Sequence, residues 1–444
     1  MRTKTLVAAL SISASLTAWG ATADPALIAK GEYVAQAGDC VACHTVKGGK
    51  PFAGGLPLET PIGMIYSTNI TPDIKTGIGS YAFEDFDKAV RQGIRKDGST
   101  LYPAMPFPSY ARVSDEDMRA LYAYFQSGVA AVSQPNRAVD IPWPLSIRWP
   151  LAYWRWMFAP QVSSVVPLKG DDPLRDRGAY LVEGLGHCGT CHTPRAVTLQ
   201  EKALSDDASG RFLSGGAPIE GWIAKDLRGS SVTGLGRWTE QDIVAFLQTG
   251  RNDHTAVFGG MSDVVVHSLQ HLSEPDLRAI AHYLKSLPAG DPNEKPLATT
   301  TDDTASKLHD LKVENLGGRV YADNCMACHR SDGMGYAQTF PGLARNTVLS
   351  DPAADSIIRI VLIGHTVPAT EQAVTAYTMP AFGWRLSDEE VAAVTTFIRQ
   401  AWGNTGTNVT AEAVSSVRST LSTDTLNGAR GALPAGAVEA RLSK

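Results

Sequence analysis

The chain of 444 residues contains six cysteines, and all six fall into three copies of one pattern. The copies are Cys40-Val41-Ala42-Cys43-His44, Cys188-Gly189-Thr190-Cys191-His192 and Cys325-Met326-Ala327-Cys328-His329. CxxCH is the attachment pattern of c-type haem. Its two thiols, one helical turn apart, form thioethers to the porphyrin vinyl groups, and the adjacent histidine reaches the iron as a neutral imidazole. A structural zinc site would more often pair a CxxC with a second CxxC or with spaced histidines. A redox dithiol gives no reason for a histidine after each pair. The pattern therefore predicts three covalently bound haem c groups on Cys40, Cys43, Cys188, Cys191, Cys325 and Cys328, with His44, His192 and His329 as proximal ligands.

A six-coordinate haem needs a distal ligand, and methionine is the one expected of electron-transfer cytochromes. Each copy carries a methionine in the same relative place. These are Met105 in Tyr102-Pro103-Ala104-Met105-Pro106, Met261 in Phe258-Gly259-Gly260-Met261, and Met379 in Tyr377-Thr378-Met379-Pro380. Adjacent prolines and glycines suit a loop laid over a haem face. Met64, Met118, Met326 and Met334 do not repeat in register, and His254 competes with Met261 in the second copy. His187, directly before Cys188, reads as a local polar contact. His267, His271, His282, His309 and His365 read as surface or packing residues. Three His/Met irons leave no site open to substrate, so the expected chemistry is electron transfer without catalytic residues.

These residues need elements to hold them. Gly31-Glu32-Tyr33, Gly178-Ala179-Tyr180 and Gly318-Arg319-Val320-Tyr321 each precede a CxxCH by about one to two helical turns. Middle helical segments run from Phe83 to Gly93, Trp238 to Gly250 and Ser356 to Gly364. Closing helices begin at Ser114, Ser273 and Ser387, each an S-x-x-[DE] start followed by apolar residues at helical spacing. The predicted fold class is all-α: three tandem cytochrome c-type domains, each built around one covalently attached haem. Such domains are too small to be comfortably stable alone, so haem insertion and folding should be coupled.

Residues 1–23 read as a signal peptide, with Arg2 and Lys4, an apolar stretch from Leu6 to Trp19, and the cleavage pattern Ala21-Thr22-Ala23. The first domain is expected at 24–130, a Pro/Trp-rich linker at 131–175, and the second domain at 176–290. A polar linker at 291–315, the third domain at 316–403 and a polar tail at 404–444 complete the chain. The first linker holds Ile141-Pro142-Trp143-Pro144, then Trp149, Tyr153, Trp154, Trp156 and Phe158. Packing against neighbouring domains and a partner or membrane-interface surface are both open for it. A net charge of −5 and the lack of a basic cluster argue against nucleic acid. Beyond the leader no run approaches the ~18 apolar residues of a membrane span, so membrane association is expected to be peripheral.

Several strings resemble one known family. They are Ala29-Lys30-Gly31-Glu32-Tyr33, Gly54-Gly55-Leu56, Ser67-Thr68-Asn69-Ile70-Thr71-Pro72-Asp73, Lys96-Asp97-Gly98, Tyr102-Pro103-Ala104-Met105-Pro106 and Ile141-Pro142-Trp143-Pro144-Leu145-Ser146. Together they look like the triple-haem cytochrome c subunit of bacterial membrane-bound dehydrogenases for alcohol, gluconate, sorbitol or fructose. The resemblance covers nearly the whole mature chain; the tail after Gly403 stands apart from it. It implies a non-catalytic subunit that accepts electrons from a large catalytic subunit, passes them haem to haem and reduces ubiquinone. It also implies anchoring at the periplasmic face of the inner membrane. The expected partner is a flavoprotein acting on a sugar, polyol or sugar acid such as gluconate, with a quinoprotein alcohol dehydrogenase as the alternative. A small third subunit is a further candidate partner. The rival of another class is a self-contained multihaem redox enzyme, which would need one iron with a weak or missing sixth ligand, Met261 being the suspect. A freely diffusing periplasmic shuttle is the third possibility.

Overall fold

The computed structural model describes residues 24–162, 171–207, 209–294 and 302–427. The expected signal peptide and the end of the tail lie outside the described residues.

In each third of the chain an opening helix crosses a closing helix. The opening helices are Pro25–Ala37, Pro173–Ala179, which runs on through wider turns to Leu185, and Leu316–Asn324. The closing helices are Asp115–Ala123, Glu274–Ser286 and Asp388–Gln400. A glycine lets each pair approach to backbone contact. A β-carbon on Gly31 would lie 2.0 Å from the Ala120 carbonyl oxygen, one on Gly178 2.0 Å from that of Ala279, and one on Gly317 2.2 Å from that of Ala393. The sequence points to Gly318 in the third copy, but the crossing uses Gly317. A β-carbon on Gly318 would meet Val313 instead, at 3.0 Å. The two glycines are identical in type, and only the face turned to the closing helix separates them.

The predicted caps are present. The hydroxyls of Ser114, Ser273 and Ser387 accept from the backbone N–H of Asp117, Asp276 and Glu390 at 3.1, 3.4 and 3.2 Å, satisfying donors that a helix start leaves open. The middle helices Phe83–Gln92, Glu240–Thr249 and Asp355–Ile363 stop at Gly93, Gly250 and Gly364, with φ of 64°, 74° and 69°. That left-handed region favours glycine.

The architecture is three tandem cytochrome c-type helical domains with, among the described residues, two small antiparallel hairpins. Pro57–Thr60 pairs with Gly63–Tyr66, and His365–Val367 pairs with Tyr377–Met379, placing His365 opposite Met379. The cores are not three separate units. One apolar core runs from Val34, Met118 and Phe125 in the first domain to Leu181, Leu277 and Tyr283 in the second. The third domain gathers its own around Tyr321, Leu362, Val391 and Val394.

Two segments outside the predicted domains have more structure than their composition implies. In the polar tail, Thr410 caps a helix, Ala411–Ser419, that buries Val414 and Val417 in the third core. Its small polar residues hide an apolar pair at i, i+3 spacing. In the Pro/Trp-rich linker, Pro150–Phe158 is helical. Among the described residues no helix is long and apolar enough to cross a membrane.

Candidate haem sites

Each CxxCH forms a short helical turn that brings its histidine under one domain. The three imidazoles share one arrangement. His44 Nδ1 donates to the Thr68 carbonyl at 2.6 Å, His192 Nδ1 to that of Lys225 at 2.7 Å, and His329 Nδ1 to that of Pro341 at 2.9 Å. A carbonyl can only accept, so the proton sits on Nδ1 and Nε2 keeps its lone pair. Burial pushes all three imidazoles below their ordinary pKa, against the raising effect of these bonds, and favours the neutral, ligating form.

The first of these acceptors explains a string that stood out in the sequence. Asn69 is buried, and its Oδ1 accepts from the Thr71 N–H at 2.9 Å and the Thr71 hydroxyl at 2.7 Å. Its Nδ2 donates to the Val132 carbonyl at 2.7 Å. The Ser67–Asp73 loop is thereby fixed, with the Thr68 carbonyl aimed at His44.

The thiols sit in surroundings opposite to those of a redox dithiol. Burial pushes Cys40, Cys188 and Cys325 each up to about 12, whereas reactive dithiols carry a lowered pKa. No cluster of three His, Cys, Asp or Glu side chains suited to a bare metal ion occurs among the described residues.

The third site shows its container. A cavity of ≈ 200 Å³ is lined by Cys325, Cys328, His329 and Met379, with walls that include Leu349, Val361 and Phe382. Two attachment thiols, an imidazole with a free Nε2, a thioether and apolar walls are the donor set and surroundings a haem c requires. Val257 and Phe258 of the second domain also line it, so this cavity is completed by the loop that leads to Met261.

The other predicted methionines lie in different local structures. Met105 sits in a tight turn, its N–H bonded to the Tyr102 carbonyl at 3.1 Å, and packs half-buried against the shared core. Met261 is the first residue of the helix Met261–His267 and packs against the same core. Met379 ends a strand rather than lying in a loop. His254, the competitor of Met261, stacks on Trp238 with centroids 5.4 Å apart, its Nε2 3.2 Å from Asp242. Met118 is core and Met334 is exposed.

His187 packs against an aromatic ring. Its Nδ1 has no hydrogen-bond partner, burial pushes its pKa down to about 4, and its ring lies against Tyr110 at 5.4 Å. The Tyr110 hydroxyl donates to the Gly38 carbonyl at 2.8 Å. Tyr110 therefore joins the segments that lead into the first and second CxxCH motifs. His365, expected as a surface or packing residue, is half-buried in the wall of the third cavity. With no counterpart in the other two copies, it gave no periodic signal.

The cytochrome c family profile matches residues 28–128 and 315–402. The segment between these matches holds the second CxxCH and the same glycine crossing. The chain is 59% identical over 399 residues to the gluconate 2-dehydrogenase cytochrome c subunit of Pantoea cypripedii, covering 89% of this chain and 90% of that one. It is 53% identical over 382 residues to the cytochrome c subunit of the alcohol dehydrogenase (quinone) of Gluconobacter oxydans, covering 86% and 80%. It is 36% identical over 415 residues to the fructose dehydrogenase cytochrome subunit of Gluconobacter japonicus, covering 88% and 82%. The chain belongs to the family of triple-haem cytochrome c subunits of bacterial membrane-bound dehydrogenases, electron-transfer proteins that carry three covalently bound haem c groups.

Proposed function

We propose that this chain is the electron-transfer and membrane-anchoring subunit of a dehydrogenase complex at the periplasmic face of the inner membrane. It receives electrons from a large flavoprotein subunit acting on a sugar, polyol or sugar acid of the gluconate kind, and delivers them to ubiquinone. The observation that carries this reading is the 59% identity to a gluconate 2-dehydrogenase cytochrome c subunit across 89% of this chain and 90% of that one.

Haem c, when bound, supplies a one-electron couple at each site. His44, His192 and His329 would hold the irons through Nε2, and Met105, Met261 and Met379 would supply the sixth ligands. The carbonyls of Thr68, Lys225 and Pro341 orient the imidazoles and make them stronger donors. The methionine thioethers would favour reduced iron and raise the potentials. With those histidines and methionines as ligands, the irons would carry electrons without a site of their own for substrate. We take the haem units as residues 24–130, 176–290 and 316–403. The Tyr110–His187 contact and the Val257–Phe258 wall support a path in which each site neighbours the next.

A second reading, with a quinoprotein alcohol dehydrogenase as the partner, is favoured by the 53% identity to such a subunit. Membranes from a strain lacking this chain would test both. Loss of gluconate-dependent reduction of a ubiquinone analogue is expected, with gluconate oxidation by an artificial dye retained in the large subunit. Loss of alcohol-dependent reduction instead would favour the second reading. Unchanged quinone reduction on both substrates would overturn the role.

A further inference from the structure

The linker helix Pro150–Phe158 has two unlike faces. On one, the Trp154 indole N–H donates to the Thr198 carbonyl at 2.8 Å and its ring stands edge-on to Phe107 at 6.2 Å. Phe158 follows on that side, against Trp154. On the other, Trp149, Tyr153, Trp156 and Met157 are exposed by 68%, 61%, 79% and 57%, and Trp143 just upstream by 80%. Positions 149, 153, 156 and 157 form one stripe of a helix.

Single exposed apolar residues are ordinary on a protein surface, but a contiguous group marks a binding face. Of seventeen exposed large hydrophobic residues among the described ones, seven lie between 143 and 157. From 141 to 162 there is no Asp or Glu, in a chain of net charge −5, and the ionic side chains there are Arg148 and Arg155. Arg148 turns inward, donating to the Thr100 carbonyl and lying over the Tyr102 ring at 4.7 Å. Arg155 is half-buried at the edge of the stripe.

This chemistry fits a phospholipid surface. Indole and phenol rings have apolar bodies and one polar tip, and they settle at the level of the headgroups. A nine-residue helix is about 14 Å long, too short to span a bilayer but suited to lying in its plane. Within residues 141–162 the charged side chains are both cationic, so this segment attracts anionic headgroups while the acidic remainder of the chain is repelled. A protein-docking face would set its aromatic centre in a rim of polar partners. Apart from Arg155 at its edge, the stripe offers only indole and phenol tips.

We propose that Trp143 and the stripe from Trp149 to Met157 are the seat by which this chain rests on an anionic phospholipid surface. The proposal rests on the anchoring role above and names the segment that performs it. The test is a Trp149→Ser, Tyr153→Ser, Trp156→Ser variant of the mature holoprotein, which keeps the inward contacts of Trp154 and Phe158. Its haem spectrum should match the parent's. Co-sedimentation with phosphatidylethanolamine–phosphatidylglycerol vesicles should weaken about tenfold or more, given the apolar area of three aromatic side chains. In the native cell the variant should move to the soluble fraction still bound to its large subunit. Equal sedimentation of variant and parent would overturn the proposal. So would a variant that stays in the membrane but loses the large subunit, since the stripe would then be a protein-docking face. A parent chain that is itself fully soluble in the native cell would instead remove the anchoring role on which the proposal rests.

Discussion

The phenol of Tyr33 donates to Asp276 at 2.5 Å, across the boundary between the first and second domains. The exchange is reciprocal, because Tyr180 donates to Asp117 at the same distance. Each tyrosine belongs to the glycine–tyrosine string of one domain, and each carboxylate to the capped start of the other domain's closing helix. Repeated motifs thus meet each other across the pair, over the shared core.

Tyr33→Phe should loosen this pairing without disturbing either helix. Removing a hydrogen bond to a charged acceptor costs roughly 1.5–3 kcal/mol, with the lower end expected here because Arg177 still reaches Asp276 at 2.7 Å. Thermal unfolding followed at the Soret band would read it. No change in midpoint would show that the bond adds nothing net.

The same carboxylate predicts an acid limb. Burial raises the pKa of Asp276, but hydrogen bonds from Arg177 and Tyr33 outweigh it and hold it below its ordinary 3.8. A carboxylate lowered on folding stabilises the folded state above its unfolded pKa, and that contribution is lost as pH falls through the folded value. Asp276→Asn should therefore be less stable at neutral pH and lose less additional stability below about pH 4. Chemical denaturation at a series of pH values gives the comparison.

Gly317→Ala should be far more damaging than Gly318→Ala. The first puts a methyl 2.2 Å from a backbone oxygen of the closing helix, which cannot rotate away. The second meets the β-carbon of Val313 at 3.0 Å, where a side chain can shift. Overpacking at the crossing costs about 1–3 kcal/mol or more. The expected result is poor recovery of the third haem, seen as a fall from three haems towards two per chain in a pyridine haemochrome assay. Equal haem content in both variants would contradict the crossing.

Met379→Ala should open one iron. Carbon monoxide, which six-coordinate His/Met haem resists, should bind one haem per reduced chain in the variant and none in the parent. Met334→Ala is the control, since that side chain is exposed. Binding by the parent at one haem would point to a vacant position and revive the self-contained redox enzyme.

Much of this was legible in the residues themselves. The CxxCH copies state their chemistry because thioether attachment and iron ligation need those side chains at that spacing. Capping serines and terminal glycines act on their own backbone, so Ser114, Ser273, Ser387, Gly93, Gly250 and Gly364 appear where the pattern put them. The acceptors for the proximal histidines were not legible. Thr68, Lys225 and Pro341 contribute backbone carbonyls, which every residue type has.

By itself the sequence determined the number of haem sites, their attachment residues and the helices that frame them, since each depends on groups close in the chain. Tertiary structure decided what depends on which face meets which. It chose Gly317 over Gly318 at a crossing, turned His187 against Tyr110, and joined the first two domains in one core. It also parted the linker aromatics into half-buried Trp154 and exposed Trp149 and Trp156. Residue type is the same on either side of each choice, and only packing distinguishes them.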